Sequence, residues 1–154
     1  MTNETLRILA VASGGGHWVQ LLRLRPAFEG ARVTFVTVDR GYAQDLDPDE
    51  RLRVVNDATR WNKIGLILLT LRLAWIIAIE RPHVVISTGA APGYVALRLG
   101  RLIGARTIWV DSVANAERLS LSGEQIGRHA DLWLTQWAHL ARPNGPRFVG
   151  SVLE

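Results

Sequence analysis

Short runs rich in valine and isoleucine alternate with helical patterns along the whole of this chain, and that alternation narrows its possible folds more than any other feature. The candidate strands are Arg7–Ala12, Arg32–Val38, Leu52–Val55, His83–Ser87, Arg106–Val110, Asp131–Thr135 and a short Arg147–Val149. They are bounded by Gly, Pro or Asp, as buried parallel strands are. The candidate helices are Trp18–Phe28, Ile64–Glu80, Gly93–Ile103 and roughly Ala116–Gly127. Strands alternating with helices predict an α/β fold with a doubly wound, mostly parallel, Rossmann-like sheet. At 154 residues the chain fits a single domain over 1–154 with room for a real core.

In such sheets ligands gather at the carboxyl ends of the strands. Three unusual loops are expected there: Ser13–His17, Thr88–Gly93 and Asp111–Glu117. The first follows the apolar run Arg7–Ala12 and reads Ser13-Gly14-Gly15-Gly16-His17, just ahead of an amphipathic segment. Three glycines leave backbone N–H groups uncovered, and a helix start adds partial positive charge, so the turn suits phosphate or another anion. The same glycines would also serve a turn that binds nothing. His17 adds a titratable group, as a general base or a phosphate contact. The second loop, from Thr88 and Gly89 to Gly93, has small side chains that permit close approach of a ligand, and it fits a plain strand-to-helix turn equally well. In the third, Asp111, Ser112, Asn115 and Glu117 suit sugar hydroxyls or a base, or else Asp111, Ser112 or Asn115 caps the next helix without any ligand.

Composition removes several classes of function. With no cysteine, disulfides, thiolate zinc sites and cysteine nucleophiles are excluded. His17, His83, His129 and His139 are scattered without ligand spacing, so no metal is expected. The net charge is +4 and almost every basic residue is arginine, with Lys63 the one lysine. A GC-rich genome accounts for that bias as well as phosphate binding does. Acidic residues are interspersed and no Lys/Arg cluster stands out, so nucleic acid is not an expected partner, whereas an anionic membrane surface or a phosphorylated ligand is. The six residues before the first strand are too few for a secretory signal.

Ile64–Ile79 is nearly all apolar, but its 16 residues fall short of the roughly 20 that a bilayer span needs, and Arg72 would lie near mid-depth. Two readings stand: a buried helix, or a helix whose outer face dips into the lipid interface. In the second, Trp61, Lys63, Leu68 and Trp75 contact the membrane, with Arg60 beside them. A dinucleotide site is the rival for the whole chain, because Asp39 ends the second strand where a ribose-binding acid would sit. The glycine spacing counts against it: Gly14 and Gly16 match G-x-G-x-x-G, but the third position falls on Val19.

Ser13-Gly14-Gly15-Gly16-His17, Arg60-Trp61-Asn62, Ser87-Thr88-Gly89-Ala90, Asp111 to Glu117, Gln136-Trp137 and Val149-Gly150-Ser151 together resemble the asparagine-linked glycosylation protein 14 family and its PssD-type exopolysaccharide counterparts. The resemblance runs over essentially the whole chain. It implies the N-terminal, acceptor-binding half of a split, MurG-like GT-B glycosyltransferase that inverts at the sugar. It implies a UDP-sugar donor held mainly by a separate donor-binding chain, no other cofactor, and a polyprenyl-diphosphate-linked saccharide as acceptor. Ser13–His17, Thr88, Gly89 and Gly93 would then face the acceptor diphosphate, with His17 catalytic. Asp111, Ser112, Asn115 and Glu117 would meet sugar or partner. The expected place is peripheral, on the cytoplasmic face of a membrane. The donor-binding half is expected to be absent and the chain alone to be inactive.

Overall fold

The computed structural model describes residues 3–154. Seven strands, β1 (Arg7–Val11), β2 (Arg32–Thr37), β3 (Arg51–Val54), β4 (Val84–Ser87), β5 (Arg106–Val110), β6 (Leu132–Thr135) and β7 (Arg147–Phe148), form one sheet in the order β3-β2-β1-β4-β5-β6-β7. Every neighbouring pair is parallel. All seven expected strands are present, with ends that differ by a residue or two.

Four helices accompany them: α1 (Gly16–Arg23), α2 (Lys63–Glu80), α3 (Ala90–Leu102) and α4 (Leu121–Ile126). Alternate strand residues feed two cores, one on each side of the sheet. Leu9, Val11, Val85 and Trp109 meet Leu69, Leu73 and Ile76 of α2 and Leu97 of α3. Ile8, Ala10, Ile86 and Val110 meet Trp18 and Leu21 of α1. Buried strands that are apolar on both faces read as unbroken hydrophobic runs, which is why they stand out in the sequence.

Two helices depart from expectation. The segment expected as one helix over Trp18–Phe28 is α1 followed by a separate 3-10 turn, Arg25–Phe28. Pro26 has no N–H to carry an α-helical ladder onward. The helix expected from Ala116 begins only at Leu121, because Ser120 caps it by accepting from the Gly123 N–H at 2.9 Å. Residues 116–120 therefore stay in the loop after β5.

The strand order decides where a ligand can sit. The chain runs outward from β1 through β2 to β3, then crosses back through α2 to β4 on the other flank of β1. β1 and β4 therefore flank the topological switch point, where their loops diverge and leave a crevice at the carboxyl edge. Val11 pairs with Ser87, and Ser87 with Trp109, so the loops after β1, β4 and β5 leave from three adjacent strands.

Candidate functional site

The first two loops are clasped together by His17. Its Nδ1–H donates to the Thr88 carbonyl at 3.0 Å, while the Thr88 hydroxyl donates to the His17 carbonyl at 2.7 Å. A carbonyl only accepts, so Nδ1 holds the proton and Nε2 keeps its lone pair in the neutral ring. Gly89 makes the clasp possible. It sits at φ +141°, and a Cβ there would lie 2.6 Å from the imidazole Nδ1 and Cε1. Ala90, next along, is held at φ 68°, which is unusual for a residue with a side chain.

Neither α1 nor α3 has an acidic residue in its first turn, so the partial positive charge at both helix starts is uncompensated. Gly15 and Gly16 are exposed, and Ser13, Gly14 and His17 are half-buried. This edge offers backbone donors, electropositive helix ends and one imidazole nitrogen able to accept a proton. That combination suits an anion bound beside a hydroxyl that must lose its proton.

The remaining expected site residues divide by position. Thr88 is buried and spent on the clasp. Gly93 is buried in the first turn of α3, where a Cβ would fall 1.8 Å from the Ser87 Oγ; it lets helix and strand approach closely and does not face the loops' open side. Asp111, at 1% exposure, is likewise used internally. Its carboxylate accepts from Trp109 Nε1 (3.0 Å), Asn115 Nδ2 (3.2 Å), the Ser120 N–H (2.9 Å) and the Ser120 hydroxyl. Asp111 thus shapes the third loop, and Ser112, also buried, accepts from Gln20 and from the Ala114 N–H. Asn115 is half-buried with its amide turned to Asp111, which leaves Glu117 as the exposed member of that set.

Three residues of consequence have no role expected from the sequence, although Gln136 falls within one of the motifs of the resemblance. Gln20 and Gln136 are both buried and form a polar bridge: Gln136 Nε2 donates to Gln20 Oε1 at 2.7 Å, and Gln20 Oε1 also accepts from the Val113 N–H at 3.0 Å. Gln136 Oε1 in turn accepts from the Val152 N–H at 3.0 Å. This bridge ties α1, the third loop and residues 151–152 into one unit. Tyr42, the third such residue, sits in the 3-10 turn Arg40–Asp45 with its hydroxyl 2.9 Å from the Gly15 nitrogen. Asp39, the candidate ribose ligand, instead caps that turn by accepting from the Gly41 N–H at 2.8 Å.

Helix α2 is apolar on both sides, so the two readings of Ile64–Ile79 describe opposite faces of one helix. Leu69, Leu73, Ile76 and Ile77 are core. Ile64, Leu68, Leu71, Trp75 and Ile79, spaced three and four residues apart, form an outward stripe, with Ile64 74% and Leu71 63% exposed. Trp61, 81% exposed, extends the stripe to the helix start, where Lys63 is exposed too. The Arg60 guanidinium lies 4.9 Å from the Trp61 ring, and that of Arg72 lies 5.1 Å from the ring of Trp75. Because α2 leads into the amino end of β4, its own start lies at the carboxyl edge of the sheet, beside the loops. No helix among the described residues is long and apolar enough to cross a membrane.

A concavity of about 630 Å³ opens between Arg25, Phe28, Glu29 and residues 47–50. It lies at the amino edge of the sheet and none of the three loops lines it.

No protein-family model matches the chain. Among curated proteins it is 26% identical to the UDP-N-acetylglucosamine transferase subunit ALG14 of Yarrowia lipolytica, over 88% of this chain and 75% of that protein. It is 25% identical to the same subunit of Rattus norvegicus, over 89% of this chain and 78% of that protein. By sequence, the chain is similar to ALG14 subunits. Among solved structures, Acinetobacter baumannii MurG superposes with a TM-score of 0.75 over 94% of this chain, at 13% identity. A UDP-N-acetylglucosamine 2-epimerase from Rickettsia bellii follows with 0.69 over 97%, also at 13% identity. The chain spans under half of either structure, 45% and 46% of their lengths. The fold is a Rossmann-like sheet with helices that matches one half of each of these two-domain structures.

Proposed function

We propose that this chain is the acceptor-binding subunit of a two-chain glycosyltransferase, which moves a sugar from a UDP-sugar onto a lipid-diphosphate-linked saccharide at a membrane surface. One observation carries the reading. The His17–Thr88 clasp holds an imidazole, with Nε2 unpaired among the described residues, between two helix starts of uncompensated positive charge. The names of the relatives support a transferase subunit and UDP-N-acetylglucosamine as donor. The uncovered amides of Gly16 and His17, with Ser13 and Gly14 beside them, would hold the diphosphate. His17 Nε2 would take the proton of the acceptor hydroxyl as its oxygen attacks the anomeric carbon, and UDP would leave from the opposite face with inversion. A partner chain would bring the donor, and Glu117 would be available to the sugar or to that partner.

Attachment to the bilayer would come from the outward stripe of α2. Burying its leucines and isoleucines in the interface is favourable by roughly 25 cal/mol per Å². Arg60, Lys63 and Arg72 would meet lipid phosphates, and Trp61 would lie at headgroup depth. On this reading the chain works peripherally on the cytoplasmic face.

The test is transfer by the chain reconstituted with its donor-binding partner. His17→Ala should lower kcat by about a hundredfold or more, as loss of a general base does. Unchanged turnover would remove His17 from the chemistry. Purified alone, the chain should transfer nothing. The dinucleotide reading has no observation in its favour, since Asp39 is used as a cap.

A further inference from the structure

We infer that the Tyr42 hydroxyl is a third wall of the anion site, donating its O–H to an oxygen of the bound diphosphate. The inference rests on the reading of the Gly14–His17 loop given above and adds a residue from a separate part of the chain. The turn that carries Tyr42 follows β2, which pairs with β1, so it rises at the same carboxyl edge as the glycine loop.

Tyr42 is held from three sides. Its ring packs on Trp18 with centroids 5.1 Å apart and 32° between planes. Trp18 Nε1 in turn donates to Asp45 at 3.0 Å, closing the far end of the turn. The Asp39 cap closes the near end. At the third side the Gly15 N–H donates to the phenolic oxygen at 2.9 Å. Gly14 is shaped to this approach, since a Cβ there would stand 2.9 Å from the same oxygen. A glycine at position 14 thus gives the hydroxyl room to reach the next amide, and puts it against the loop backbone beside Gly16.

The chemistry follows from which half of the hydroxyl is occupied. The oxygen accepts from Gly15, while the hydroxyl hydrogen has no acceptor among the described residues. A hydroxyl that accepts an N–H becomes a stronger donor. Gly15 thus loses its own amide as an anion ligand, and the phenol passes that donor capacity outward by one O–H length. Tyr42 therefore extends the row of donors at Gly16 and His17. The opposite arrangement, in which Tyr42 is a plug that a ligand must displace, predicts the opposite sign on removing the hydroxyl.

Farnesyl diphosphate, a soluble short-chain polyprenyl diphosphate, serves as the probe, titrated calorimetrically into wild type, Tyr42→Phe and Gly16→Pro, the last removing one loop amide at the first position of α1, where proline is tolerated. Phenylalanine keeps the ring on Trp18, and coincident thermal melts check that the turn is intact. Tyr42→Phe should raise Kd by about tenfold, the loss expected for one hydrogen bond to a charged acceptor. Equal Kd for wild type and Tyr42→Phe, with weaker binding by Gly16→Pro, overturns the role of Tyr42 and leaves the loop reading standing. Tighter binding by Tyr42→Phe overturns it in favour of the plug. No binding by wild type, or binding that Gly16→Pro leaves untouched, overturns the loop reading and this inference with it.

Discussion

A buried carboxylate is stable only when its oxygens are supplied with donors, and Asp111 receives four. Its replacement by asparagine would set an NH2 group against the Trp109 and Ser120 donors. Asp111→Asn should therefore cost roughly 3 kcal/mol in urea unfolding, within the range for lost hydrogen bonds to a charged group. Ala90 is the reverse case, held at φ 68° where an L-residue is strained by about 1–3 kcal/mol. Ala90→Gly relieves that strain and adds about 0.5–1 kcal/mol of backbone entropy cost, so it should raise stability by an amount between roughly 0 and 2.5 kcal/mol. A loss of stability on that substitution would show that the left-handed geometry is not strained. Neither residue is readable in this way from the sequence. Asp111 stands out there only as one of several polar groups after a strand, and its partners are fixed when the loop folds back to Ser120. Tyr42 is more hidden still, because its partner lies 27 residues away, on the far side of α1 and β2 in the chain.

At the level of the element, α2 is where the sequence is most explicit and yet most ambiguous. Its length and apolar character were legible, and Asn62 caps it as a polar residue at that position should, accepting from the Gly65 N–H at 2.9 Å. Leu68 and Trp75 were expected on the outer face and are exposed, but the full stripe was not legible, because a helix that is apolar all round gives no periodic contrast. The structure separates them. Leu73→Ala, in the core, should cost about 2–5 kcal/mol by cavity formation. Leu71→Glu, on the stripe, should change stability by no more than about 0.5 kcal/mol and yet abolish flotation with anionic liposomes. Flotation that survives both Leu71→Glu and Leu68→Glu would remove α2 as the membrane contact. The strands were plainer, since buried parallel strands carry long Val/Ile runs between turn residues. The start of α4 was misplaced because Ser120 caps it, a choice that the helical pattern from Ala116 does not reveal.

Across the whole molecule, the Gln20–Gln136 bridge joins parts of the chain that no local pattern connects. Gln20 lies one turn after His17 on α1, and Gln136 holds residues 151–152 beside it. Arg23 of the same helix donates to the Val152 carbonyl at 3.0 Å. Gln136→Leu should release the Val152 amide to fast hydrogen exchange while amides of β1 and β4 keep their protection. Protection that persists at Val152 would show that Arg23 alone holds the segment. The motif Gln136-Trp137 was visible in the sequence as part of a resemblance, but its work as a bridge depends on β6 lying three strands from β1.

The start of α2 and the glycine loop share one edge of the sheet. On the reading proposed for them, encounter with the acceptor becomes lateral diffusion within a plane in place of a search through bulk volume. Turnover would then follow the mole fraction of acceptor in the vesicle. Diluting the acceptor with inert phospholipid at constant total concentration would slow the reaction, whereas diluting the vesicles with buffer would leave the bound population's rate unchanged.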